Sequence, residues 1–325
     1  MRARFRLLSV GLLSTTLMSM GSALAWADDA SIVLDLVRHG ETLSNLNGII
    51  DTAPPGADLD PTGATQAITV AGSIIGEFGK TNIAGVLASQ EVRAVETAAP
   101  LVASLPNTTA YLPELSGLNE IPAGLFEGQP TTSLDGILYL LGPLSWALGL
   151  PLVPDLGDPS VNGVTFDEGF SNVVDAIYNG TANATGTPTD VAFSSEGAIA
   201  VWTLMNVNNP DFSILLNELV NNHGFLSNGG QVIIDGSPGD WTLVSYDGVP
   251  VPQDPGLGTE LFVDVRNLLD APQFAGYDIY EALLHGNAAA IDTALQTGVT
   301  QIDSALSQFP VEVFDQLVAA FGGSI

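Results

Sequence analysis

Residues 31–38, SIVLDLVR, are apolar, rich in β-branched side chains and only weakly alternating, and they break off into His39 and Gly40. Such a run suits an interior strand of a parallel or mixed sheet, where both faces are covered. A Gly-, Pro- and Asp-rich loop over residues 48–63 follows. PTGATQAITVAGSIIGEF then has helical spacing, with Pro61 and Thr62 where helices start and Gly79 just past the end. IAGVLAS, residues 83–89, reads as a second short strand and EVRAVETAAPLVASL as a second helix. Strand, helix, strand, helix predicts a right-handed parallel arrangement. The expected fold class is therefore α/β: a three-layer α/β/α sandwich with a mixed, mostly parallel central sheet.

The later chain extends this pattern. TDVAFSSEGAIAVWTLMNV, residues 189–207, reads as strand, turn and helix, and QVIIDGSPGDWTLVSYDG as a hairpin around Pro238 and Gly239. Residues 131–154 are almost wholly apolar but are broken by Gly142, Pro143, Gly149 and Pro151, with Asp135 near the start. Those breaks argue against a membrane span and for a helical insertion over one end of the sheet. A satellite core is the favoured reading of this insertion, and a lid for a lipid-like phosphate ester the alternative. After residue 250 a linker, VPQDPGLG, leads to a small C-terminal helical extension. There Ile291, Leu295, Ile302, Leu306, Val313, Leu317 and Phe321 keep helical spacing, and packing against the same chain is expected.

Three arginines, an apolar stretch and Ala25-Trp26-Ala27 mark residues 1–27 as a signal peptide cleaved after Ala27, or after Ala25. The expected division is thus 1–27 leader, 28–250 main domain and 251–325 linker and extension, with the mature protein secreted or held in the cell envelope. The absence of cysteine rules out disulfides and thiolate chemistry. Beyond the leader, 36 acidic residues face four cations, Arg38, Lys80, Arg93 and Arg266, a net charge of −32 (4 − 36). Such a field repels nucleic acid and anionic membranes. No nucleic-acid partner is expected, membrane contact is not favoured, and any anion site must be built locally.

Open α/β sheets place ligands where strand ends run into loops and helix N-termini. Arg38, His39 and Gly40 occupy that place after the first strand, and Ser89 and Arg93 after the second. Two guanidinium groups beside a histidine hold its pKa down, so the ring stays neutral and nucleophilic, while the arginines can grip a tetrahedral anion bidentately. That combination suits phosphoryl transfer through a phosphohistidine.

VRHGETLSN, LDPTGATQA, ASQEVRAVETA and LNEIPAGLFEG, in that order, resemble the histidine phosphatase superfamily in its phosphoglycerate mutase-like branch, over about residues 31–250. The resemblance implies that His39 is the phosphorylated nucleophile, that Arg38 and Arg93 bind the phosphate with a hydrogen bond from Asn45, and that Glu120 gives a proton to the leaving oxygen. Glu127 would shape the loop. It also implies a small phosphorylated substrate and no metal or organic cofactor.

One position departs from the family. Where its members carry a second histidine after a strand, FSSEGAIAVW has Glu196. Like charges at about 4 Å and an effective dielectric near 20 cost roughly 4 kcal/mol. Either the Glu196 carboxyl is protonated when phosphate binds and donates to it, or it stays ionised and pairs with Arg38 or Arg93. His285, preceded by helical spacing, and His223, in a polar run, read as surface histidines that cannot substitute. Asp264, Asp270, Asp278, Glu281, Asp292 and Asp303 read as solvated faces, since no calcium-loop spacing joins them. The expected activity is that of an exported phosphomonoester hydrolase. The alternative is a catalytically degenerate envelope protein that uses the fold to bind; a mutase is disfavoured by export.

Overall fold

The computed structural model describes residues 31–182, 188–221 and 224–321. The expected leader at 1–27 and His223 lie outside these residues. The elements in chain order are β1 (Ile32–Arg38), α1 (Leu43–Leu46), α2 (Pro61–Phe78), β2 (Ile83–Ala88), α3 (Val92–Ser104), β3 (Ala110–Leu112), α4 (Leu134–Ala147), α5 (Gly163–Thr181), β4 (Thr189–Ser194), α6 (Glu196–Asn206), α7 (Phe212–Asn221), β5 (Gln231–Ser237), β6 (Asp240–Tyr246), β7 (Val249–Pro250), α8 (Leu257–His285) and α9 (Ala288–Phe321).

The strands form one seven-stranded sheet in the order β3-β2-β4-β1-β5-β6-β7. Pairing is parallel from β3 through β2 and β4 to β1, and antiparallel from β1 through β5 and β6 to β7. The sheet is mixed, as expected, with its parallel half carrying the loops described below. Side chains on β1 alternate between two cores. Leu34 and Leu36 join Phe170 of α5 and Trp202 of α6, whereas Val37 joins Val70 and Ile74 of α2 and Leu101 of α3. Helices therefore cover both faces and give the three layers.

Local chemistry explains the helix ends. Asp60 caps α2 by accepting from Gly63 N at 2.8 Å, Pro61 fills the first turn where no N–H is needed, and Gly79 closes the helix at φ +77°. Asn162 and Thr165 form a reciprocal cap at the start of α5.

The apolar insertion folds into α4 and builds a small third core in which Trp146 packs with Ile121, Val201 and Met205. Its apolar residues divide: Trp146 and Ala147 are buried, while Leu134, Ile137, Leu141 and Leu148 remain exposed. The C-terminal region is docked as well as appended. Arg266 of α8 is buried and donates to the carbonyls of Leu204 and Val207 at the end of α6, and Gln273 donates to Gly149 O at 2.8 Å. Helix α9 runs along α8, where Gly298 sits against Ala275 and Ile279, yet Leu295, Leu306 and Leu317 of the expected stripe stay exposed.

Candidate active site

The C-terminal ends of β2, β4 and β1 lie side by side, and each delivers part of one pocket. Arg38 ends β1 opposite Ser194 of β4, and His39 N donates to Ser194 O at 3.1 Å. Ser89 follows β2 and donates its N–H to Phe193 O at 3.0 Å. The turn after β4 carries Ser195 and Glu196 into α6, and the turn after β2 carries Glu91 and Arg93 into α3.

His39 is buried, and its Nδ1 lies 2.8 Å from Gly40 O. A carbonyl oxygen can only accept, so Nδ1 carries the proton and Nε2 keeps its lone pair. Gly40 N in turn donates to Thr97 Oγ1 at 2.9 Å, which ties the loop to α3. Gly40 has no room for a side chain: a Cβ there would collide with the Gly63 backbone of α2. Burial first, and then the charges of Arg93 and Arg38, hold the His39 ring well below the ordinary imidazole range. Sequence reasoning named the arginines as the cause; the structure puts desolvation ahead of them.

Both guanidinium groups are anchored through one end. Arg38 Nη1 donates to Leu226 O and lies 2.9 Å from Glu196 Oε2, while its buried Nε has no partner. Arg93 Nη2 lies 2.7 Å from Glu91 Oε1 and 3.5 Å from Ser195 Oγ, while its buried Nε and Nη1 have no hydrogen-bond partner. These unpaired N–H groups are donors that a tetrahedral oxyanion could satisfy. Gly56, at φ +69°, passes so close to Arg93 Nη1 that any Cβ there would strike it, and Asp51 Oδ2 lies 3.9 Å from the same nitrogen.

Asn45 spends its side-chain oxygen on the cap of α1, accepting from Thr42 N at 3.2 Å and Thr42 Oγ1 at 3.1 Å. The same oxygen accepts from Asn228 Nδ2 at 3.3 Å, and Asn228 Nδ2 also lies 3.2 Å from His39 O. With its oxygen committed, Asn45 can offer an anion only its amide N–H groups.

Glu120 occupies an unexpected position for a carboxyl group. Its oxygens accept from Gly197 N at 3.0 Å, Ala198 N at 2.8 Å and Ile121 N at 2.8 Å. It thus caps α6 from a distant loop, a task Ser195 leaves undone. Burial and then the Glu91 charge push its pKa up to about 7, against the opposing pull of the Ile121 and Gly197 amides and Arg93. Glu127 accepts from Thr52 N at 2.9 Å and Thr52 Oγ1 at 2.6 Å, which fits the loop-shaping reading.

Glu196 lies at the first turn of α6, paired with Arg38 and accepting from Phe225 N. The contact with Arg38 is the one the ionised arrangement calls for; the protonated arrangement concerns the phosphate-bound state. His285 ends α8 with an exposed ring 3.8 Å from Glu281.

Sequence reasoning missed Glu91. It is fully buried, and its carboxylate accepts from Ser89 Oγ at 2.9 Å, Ser195 Oγ at 2.9 Å, Arg93 Nη2 at 2.7 Å and Glu120 N at 3.1 Å. The only signal was an acidic residue two positions before an arginine at a helix start. Among the described residues, no group of three or more His, Cys, Asp or Glu side chains could hold a metal ion.

Comparison with known proteins follows the same lines. Residues 34–137 match the family model described as the histidine phosphatase superfamily (branch 1). The PE-PGRS family protein PE_PGRS11 of Mycobacterium tuberculosis is 44% identical over 300 residues, covering 90% of this chain and 49% of that protein. An uncharacterized protein of the same organism is 35% identical over 127 residues, covering 39% of this chain and 58% of that one. The chain spans about half the length of the curated relatives it matches. Among solved structures, one named mycobacterial hydrolase 1 is 19% identical, with a TM-score of 0.50, covering 68% of this chain and 100% of that one. A mycobacterial glucosyl-3-phosphoglycerate phosphatase in complex with VO3 is 20% identical, with a TM-score of 0.49, covering 66% of this chain and 98% of that one. The resemblance to the superfamily is borne out over a span that holds Arg38, His39, Asn45, Arg93 and Glu120; Glu196 lies beyond the matched residues.

Proposed function

We propose that this chain, whose residues 34–137 are histidine phosphatase superfamily sequence, hydrolyses phosphomonoesters through a phosphohistidine on His39. The observation that carries the reading is the Nδ1–Gly40 hydrogen bond, which leaves a neutral Nε2 lone pair on a ring that feels the charges of Arg93 and Arg38, both of which hold donors without hydrogen-bond partners. In the first step Nε2 attacks phosphorus, the bond from phosphorus to the ester oxygen breaks, and protonated Glu120 gives its proton to the departing alkoxide. In the second, water attacks the phosphohistidine, its proton passes to the Glu120 carboxylate, and the bond from phosphorus to nitrogen breaks to release inorganic phosphate. A carboxyl group with a pKa of about 7 can serve as acid in one step and base in the other. Arg38, Arg93 and the Asn45 amide hold the transferred group. No step needs a metal.

The leader-like residues 1–27 make export part of this proposal, which puts the substrate outside the cytoplasm. Acid-quenched protein treated with a labelled aryl phosphate tests the mechanism: label retained on wild type, and lost with turnover in His39→Ala, supports it. Turnover that survives His39→Ala would overturn it.

A second reading rests on the Glu196–Arg38 ion pair at 2.9 Å. That pair occupies one phosphate ligand and gives a protein that binds through the fold without turnover. Wild type would then hold no label, yet would bind an anion once Glu196 is neutralised.

A further inference from the structure

Glu120 has two surroundings. Its carboxyl caps α6 within reach of the Glu91 and Arg93 charges, and the residue also lines a cavity of about 540 Å³ with Pro54, Pro122, Glu127, Val161 and Phe166. The loop at 51–57 joins the two spaces, since Thr52 and Pro54 line the cavity while Asp51 and Gly56 lie against Arg93. A group that hands its proton to the leaving oxygen must touch that oxygen, so the remainder of the leaving group extends into this cavity.

Among the described residues, no Lys, Arg or His lines the cavity. The cations of the described residues are all placed elsewhere: Arg38 and Arg93 at His39, Lys80 exposed just beyond α2, and Arg266 buried against the end of α6. The ionisable groups of the described residues that line the cavity are Glu120 and Glu127, both carboxyl groups. A carboxylate or second phosphate on the leaving group would lose hydration there, find no cation and meet like charge. The walls at Val161, Phe166, Pro54 and Pro122 offer an apolar body its cover instead.

We infer that the substrate is a phosphomonoester of an otherwise uncharged alcohol, whose apolar body fills the cavity beside Glu120; this rests on the phosphohydrolase reading. Phosphorylated hydroxy acids and amino acids are the class it rejects. The selectivity comes from what the cavity lacks, because none of the cations among the described residues stands there to meet a second anionic group.

Phenyl phosphate and 4-carboxyphenyl phosphate test this as a pair. The carboxylate makes the phenol a slightly better leaving group, so slower turnover of the second ester cannot reflect intrinsic reactivity. The expected result is at least a tenfold higher kcat/KM for phenyl phosphate. Ser160→Lys at the exposed rim, or Gly169→Lys, where an added side chain begins in open space, should narrow that ratio at least threefold by supplying the missing cation. Equal kcat/KM for the two esters, or a ratio that neither lysine changes, overturns the inference and leaves the hydrolase reading standing. Absence of turnover with both esters overturns the hydrolase reading instead, and calorimetric titration of the same esters then decides selectivity. Tighter binding of the neutral ester supports the inference; equal or absent binding overturns it.

Discussion

The Glu196 carboxylate lies 2.9 Å from Arg38 Nη1, so a carboxylate at the start of α6 neutralises one of the two guanidinium groups whose charges act on His39. Neither partner is fully removed from solvent, with side chains 10% and 21% exposed, which moderates the pair's strength. Its effect on an incoming anion is larger than its effect on stability, because phosphate must compete with Glu196 for the same donor. Glu196→Gln keeps the shape and deletes the charge. Inhibition by vanadate or inorganic phosphate should tighten at least tenfold, about 1.4 kcal/mol. Unchanged or weaker inhibition would show that Glu196 does not control the anion site.

Glu91 joins four groups that the proposed reaction needs in place: Ser89, Arg93, Ser195 and the backbone of Glu120. Glu91→Ala strands the buried Arg93 charge and should cost about 3–5 kcal/mol of stability, read from urea unfolding. Glu91→Gln is gentler and tests the electrostatics. The Glu91 charge is the second cause, after burial, of the raised Glu120 pKa, and an acid must be protonated to act. Activity should therefore fall as pH rises through about 7 in wild type, and the fall should move to lower pH in Glu91→Gln. A fall that stays in place or moves to higher pH contradicts the coupling.

The sequence displayed the parallel half of the sheet clearly, because β1, β2 and β4 are short apolar runs followed by helices with Pro, Asp or Gly at their ends. It hid α5, whose buried face includes Asp167 and Ser171 beside Val164, Phe170, Val174 and Ile177, so the apolar period is broken by polar residues. In the site, Arg38, His39 and Arg93 were legible because a cation-poor chain shows its guanidinium groups plainly. Glu91 was not, since its meaning comes from Ser195 and Glu120, distant in sequence and joined to it only by folding. The capping role of Glu120 was hidden for the same reason: its partners are backbone N–H groups at 197 and 198. Local pattern announces strands and caps, but not which distant carboxylate will close a helix end.

Three buried carboxyl groups give the fold an unusual pH response. Burial pushes Asp35 up to about 8, aided by Glu77 and opposed by Gln231, and it pushes Asp190 up to about 6 and Glu120 to about 7. In the unfolded chain these groups titrate near 4. Between pH 4 and 8 the folded state therefore holds protons that the unfolded state has released, and stability must fall as pH rises. The thermal midpoint should drop by several degrees from pH 5 to pH 8, for a change of roughly a few kcal/mol. Asp35→Asn, which can still accept from Gln231 Nε2, should flatten the slope. A midpoint that rises over this window would refute the assignment.

Arg266 decides whether the C-terminal region is an appendix or part of the fold. Its side chain is 1% exposed, donates to Leu204 O and Val207 O where α6 runs out of backbone partners, and lies 6.0 Å from the centre of the Phe262 ring. Carbonyls at a helix C-terminus welcome a cation, and removing it leaves them buried and unpaired at about 1–3 kcal/mol each. Arg266→Ala should therefore cost about 3 kcal/mol or more in urea unfolding, with Arg266→Lys intermediate because it loses the forked geometry. Deleting residues 287–325 removes α9, which lies along α8, and should leave phosphomonoester turnover within about twofold of the full chain, a change under roughly 0.5 kcal/mol. If the deletion abolishes turnover while Arg266→Ala is neutral, the anchoring runs through α9 and not through the guanidinium at the end of α6.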